Sequence, residues 1–74
     1  MATNKDTTPV TVHCLERFYH KDGRSIAISL AINEDLVFLP LEEIQIHDTG
    51  VVESEKRVVN VVMPMWLAQE KRLA

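Results

Sequence analysis

Lys21-Asp22-Gly23-Arg24-Ser25-Ile26-Ala27-Ile28-Ser29-Leu30-Ala31-Ile32 is the stretch on which the fold turns. Asp22-Gly23 offers the positive-φ positions of a tight hairpin, so the strand after it runs antiparallel to the strand before it. From Ser25 to Ile32 the alternation is strict: Ile26, Ile28, Leu30 and Ile32 fall on one face, Ser25, Ala27, Ser29 and Ala31 on the other. The first face reads as core. The second is small and uncharged where a solvated strand would carry Lys, Glu or Thr, which predicts something packed closely against that side as well.

Working outward, Val10, Val12 and Cys14 alternate with Thr11, His13 and Leu15, and the pattern runs less cleanly to Phe18 and Tyr19. This predicts a first strand bulged near Glu16. Residues 1–9 are polar and Thr-rich and are expected to form a frayed arm, leaving 10–74 as the single domain. Downstream, Asn33-Glu34-Asp35 makes a turn, Leu36 to Leu39 a short third strand stopped by Pro40, and Leu41-Glu42-Glu43 one helical turn or a tight connection. Ile44-Gln45-Ile46-His47 opens strand four. Arg57 to Met63, apolar on both faces, reads as a central fifth strand covered on both sides. The turn between strands four and five falls at Asp48-Thr49-Gly50 or at Ser54-Glu55-Lys56.

Pro64 suits the first position of a helix. Residues 64–73 read as that helix, with Pro64, Trp66 and Leu67 as structural anchors, Trp66 foremost, and with Lys71 and Arg72 in the last turn complementing the dipole. The expected fold is mainly β with one C-terminal α-helix: a small five-stranded antiparallel barrel-like sheet. The helix is expected over an end or a face of it, with the small-residue face of strand two as one candidate.

A chain of 74 residues has room for one core. With 46% hydrophobic and 26% charged residues it has the composition of a globular domain. Its lone cysteine, Cys14, cannot close an internal disulfide, and neither a secretory leader nor a bilayer-length apolar run is present, which points to the reducing cytoplasm and to no membrane partner. Asp48-Thr49-Gly50 has the form of the aspartic-protease triplet, but the 24 residues after it cannot supply the further strands such proteases need, so it reads as a β-turn. His13 and Cys14 are strand neighbours on opposite faces and cannot form a nucleophile–base pair. His13, His20 and His47 lack zinc-ligand spacing, and Glu42-Glu43 comes without a pocket signature. The expectation is a non-enzyme with no metal and no cofactor.

The charge layout carries more. The net charge is −3, yet from Ser25 to Glu55 there are seven acids, Glu34, Asp35, Glu42, Glu43, Asp48, Glu53 and Glu55, and no Lys or Arg. Such a block steers a protein toward a basic partner, which makes those seven the candidate partner-binding residues, with the expectation that they gather on one side of the folded molecule. A competing class, a small β-barrel binding nucleic acid, rests on Arg17, Phe18, Tyr19, His20, Lys21 and Arg24 around the first hairpin, with Tyr19, Lys21 and Arg24 foremost. The net negative charge and a pI near 5.5 argue against it. A virion structural or assembly component is a third class, which a defined oligomer would mark.

The ending Val59-Asn60-Val61-Val62-Met63-Pro64-Met65-Trp66-Leu67-Ala68-Gln69-Glu70-Lys71-Arg72-Leu73 resembles the close of many short phage and prophage proteins, where a strand runs into Pro-x-Trp-Leu-Ala-x-Glu-Lys-x-Leu. Arg24 to Ile32 and Leu36-Val37-Phe38-Leu39-Pro40-Leu41-Glu42-Glu43-Ile44 look like the same group's two strands and Pro-led turn, so the likeness spans roughly two thirds of the chain. Phe38 stands where the group usually has Trp, and Arg72 where Gly usually follows the Lys. The group is mostly of unassigned function. What the resemblance implies is a mobile-element origin and a location in the host cytoplasm. Small acidic phage proteins, anti-CRISPR inhibitors among them, often act by occupying a host protein stoichiometrically. The implied partner is therefore a host protein or nucleoprotein complex with a basic, nucleic-acid-handling surface.

Overall fold

The computed structural model describes residues 5–74. Its elements are β1 (Pro9–Tyr19), β2 (Ser25–Ser29), β3 (Val37–Pro40), a 3-10 turn (Leu41–Glu43), β4 (Gln45–Glu53), β5 (Lys56–Pro64) and α1 (Met65–Glu70). The five strands form one antiparallel sheet in the order β3-β2-β1-β5-β4. Mainly β with one C-terminal helix is therefore the architecture. β5 lies between two neighbours, while β1 holds the middle of the sheet.

β1 is shared. Pro9 to Leu15 pair with β5, whereas Leu15 to Tyr19 pair with β2, and the register shifts between Glu16 and Phe18. A bulge there bends the strand and turns two successive side chains toward one face. The link between the edge strands then forces the sheet to coil. Four inter-strand spacings would set β3 and β4 about 19 Å apart in a flat sheet. The pairings Ser25↔Pro40 and Gln45↔Val62 also put the two ends of the link toward opposite ends of β1. Residues 41–44, partly in a 3-10 turn, are too few to span that gap unless the sheet curls. Leu41 and Ile44 pack against the core as the link crosses. β3 and β4 do not pair, so the expected barrel-like closure stops at an open, coiled sheet.

The core lies on the concave face. Val12 and Cys14 of β1, Ile26 and Ile28 of β2, Leu39 of β3, and Val59, Val61 and Met63 of β5 meet Leu67 and Ala68 of α1 there. Strand two is shorter than its alternation suggested. It ends at Ser29, and Leu30 and Ile32, read as core, are 52% and 42% exposed. Three hydrogen bonds hold the chain where it leaves the sheet: the Glu34 N–H donates to the Ala31 carbonyl, and the Arg17 guanidinium donates to the Ser29 hydroxyl and the Ile32 carbonyl.

The small-residue face of β2 is indeed covered, though not by the helix. Ala27 is fully buried between its cross-strand neighbours Phe18 and Phe38, whose rings meet edge to face at 6.0 Å. Arg17, reaching across from the bulge, closes over Ser29.

Of the two turn sites between strands four and five, the chain uses the later one. Ser54 and Glu55 take φ of 52° and 66°, the backbone of a two-residue hairpin turn, while β4 runs unbroken to Glu53. Asp48-Thr49-Gly50, expected as a β-turn, is a bulge within β4: the register shifts between Asp48 and Val51, and Gly50 takes φ of 81°. Asp48 accepts from the Gly50 N–H, and Thr49 accepts from the Val51 N–H while donating to the Val58 carbonyl.

The helix is shorter than 64–73. Pro64 is the last residue of β5 and caps α1 with extended backbone instead of occupying its first turn. The buried anchors are Leu67 and Ala68, and Trp66 is only partly buried against the core. Of the arm expected over residues 1–9, residues 1–4 lie outside the described part. The rest is tied down, because the Asp6 and Thr8 carbonyls accept from the Trp66 and Met65 N–H groups at 2.8 Å. Those bonds satisfy donors at a helix start that has no side-chain cap. Lys5 Nζ lies 4.1 Å from the centre of the Trp66 ring, a cation–π contact.

Candidate protein-binding surface

The seven acids named from the sequence do not form one cluster. Glu34 and Asp35 lie in the loop before β3, Glu42 and Glu43 in the 3-10 turn, Asp48 at the bulge of β4, and Glu53 and Glu55 at the β4–β5 hairpin. Glu43 stands just before β4 and Glu53 at its last position, so the length of the strand, roughly 25 Å at about 3.3 Å per residue, separates them. Asp48 differs from the rest because Arg57 bridges it, at 2.9 Å, to Glu16 at 2.6 Å, across three adjacent strands. Glu16, the least exposed member, holds the Arg57 pKa above its ordinary value mainly by hydrogen bonding and charge. The other six candidates are exposed, and among the described residues none of them enters an ion pair.

Reading the residues did not isolate a second feature: an aromatic face on the convex side of β1, β2 and β3. Phe18 and Phe38 are 48% and 41% exposed although they pack on each other, and the His20 ring lies 6.2 Å from Phe38. Phe18 reaches that face because of the bulge, and Phe38 because it pairs with the same alanine. Tyr19 pairs with Ile26, a core-face residue, so alternation sends it to the other side, away from the two phenylalanines. A two-ring exposed patch on a chain with four aromatics in all is the kind of surface that partners cover.

His20 and Asp22 pair at 3.1 Å in the first hairpin, and Asp22 also accepts from the Arg24 N–H. That backbone bond, ahead of the His20 charge, lowers the Asp22 pKa. The His13 Nδ1–H donates to Asn60 Oδ1 at 2.8 Å on the convex face, while Cys14 is buried on the concave one and its thiol is pushed up to about 11 by desolvation. No group of three or more metal-ligating side chains converges among the described residues. No helix among the described residues is long and apolar enough to cross a membrane. No family model, curated protein or solved structure matches the chain.

Proposed function

We propose that this chain is a phage-type protein that acts by stoichiometric binding to a host nucleic-acid-handling complex, such as a CRISPR effector. Its carboxylates would draw it to the basic surface on which nucleic acid otherwise sits. The observation that carries the reading is that Glu34, Asp35, Glu42, Glu43, Glu53 and Glu55 are exposed without an ionic partner among the described residues. Uncompensated carboxylates generate a field that raises association rates with a basic surface. Phe18 and Phe38 supply the apolar contact that charge alone does not give.

The test is titration of the purified chain against purified host nucleic-acid-handling complexes, CRISPR effectors included, at low and high salt and with nucleic acid as competitor. Equimolar binding that nucleic acid displaces, and that Glu42→Lys with Glu43→Lys weakens, is the expected result. Binding indifferent to salt and to charge reversal would remove the mechanism. The placement of Phe18, Phe38 and His20 beside the cationic first hairpin favours a second reading, direct binding of single-stranded nucleic acid, in which bases stack on the rings. Saturable binding of labelled oligonucleotides at low salt, abolished by Phe18→Ala, would favour that reading over the first.

A further inference from the structure

We propose that the groove between the 3-10 turn, the starts of β1 and β4 and the end of β5 that lies between those two strands receives a lysine or arginine side chain of the partner protein, an inference that rests on the basic partner proposed above. Pro9, Ile44, Val62 and Pro64 supply apolar lining to this open groove of about 410 Å³, and Glu42 and Glu43 line it as well. An alkyl stem ending in a cation matches that layout: the methylenes cover apolar surface while the charged head meets carboxylates. The volume admits such a side chain together with water or an adjoining residue.

The backbone that carries the two glutamates is anchored. The turn that carries them is fixed by the Leu41 N–H donating to the Arg24 carbonyl at 2.9 Å, and by Leu41 and Ile44 packing on the core. Neither glutamate is occupied by a cation of this chain among the described residues. A second hollow, lined by Asp22, Gly23, Arg24, Ser25, Pro40 and Leu41, shares Glu42 with the groove, but there Arg24 already supplies positive charge. Glu43 is therefore the carboxylate committed to the groove.

Amide chemical shifts test this. The uniformly ¹⁵N-labelled chain is titrated with N-acetyl-lysine methylamide and N-acetyl-arginine methylamide, with N-acetyl-norleucine methylamide as the uncharged control. The Ile44, Gln45 and Val62 amides should shift saturably with both cations and respond roughly tenfold more weakly to norleucine, the factor one charge-assisted hydrogen bond supplies. Glu43→Gln should erase the difference while the spectrum of the rest of the fold stays in place. Three results would overturn the proposal: equal responses to norleucine and the cations, shifts centred on Glu53 and Glu55 instead, or concentration-dependent shifts at these amides in the free protein, which would put a second copy in the groove. If the groove ignores lysine while charge reversal still weakens a partner complex, only this proposal falls. If lysine binds and no basic partner does, only the functional reading falls.

Discussion

Arg72 occupies the position just past the helix C-cap with φ of 60°, in the left-handed region where a β-carbon costs roughly 1 kcal/mol. The bonds around it, Leu73 N–H to the Ala68 carbonyl at 2.7 Å and Arg72 N–H to the Gln69 carbonyl at 3.1 Å, are those of a Schellman ending, which favours glycine at this site. Arg72→Gly should therefore raise stability by about 1 kcal/mol in urea unfolding, whereas Arg72→Ala should leave it nearly unchanged. At Cys14 burial favours the neutral thiol. With the folded value near 11 against the ordinary 9.0, its contribution to stability is complete below pH 9 and is lost as pH rises toward 11. Unfolding midpoints should fall across that alkaline interval, and a Cys14→Ala variant should show a shallower fall. At the acid end the sign reverses. Asp22, held below 3.8 by the Arg24 N–H, adds stability above that value and loses it as pH drops through its folded one.

Among the elements, the β4–β5 hairpin carries strain in its two-residue turn, because Ser54 and Glu55 both hold positive φ without being glycine or asparagine. Asn-Gly is the pair such a turn prefers, so replacing Ser54 with Asn and Glu55 with Gly together should add about 1 kcal/mol, read from the denaturant midpoint. A short helix such as α1 would not persist alone and depends on Leu67 and Ala68 reaching the sheet. Leu67→Ala should cost about 2–4 kcal/mol, by chemical denaturation, since Leu67 is 2% exposed and its removal opens a cavity in the core cluster. The Asp48–Arg57–Glu16 bridge is partly exposed and worth less. Arg57→Ala is expected to cost no more than about 1 kcal/mol.

At the scale of the whole molecule, the chain measures 46 by 24 by 20 Å, and its curled sheet has a concave face filled by core and a convex face bearing Phe18 and Phe38. Replacing both phenylalanines with Ser should leave the fold intact by circular dichroism, since each is about half exposed, yet should weaken a partner complex more than ten-fold if the aromatic face is an anchor. Unchanged affinity would confine recognition to the carboxylates.

The residues by themselves determined the elements. Asp22-Gly23 dictates a hairpin, Pro40 stops β3, period-two runs make strands, and Val58 to Val62 demand cover on both faces, all because backbone preference and alternation act within a few positions. Exposure of the acids was legible for the same reason, since a charge is rarely buried unpaired. Only tertiary structure decided that Ala27 lies under two phenylalanines, that Asp48-Thr49-Gly50 is a bulge inside β4, that Leu30 and Ile32 leave the core, and that Glu43 and Glu53 stand at opposite ends of one strand. Each depends on register between segments distant in sequence, where one residue of slip turns a whole strand over. Local chemistry proposes the strands, and the curl forced by the short link between β3 and β4 decides which side chains meet.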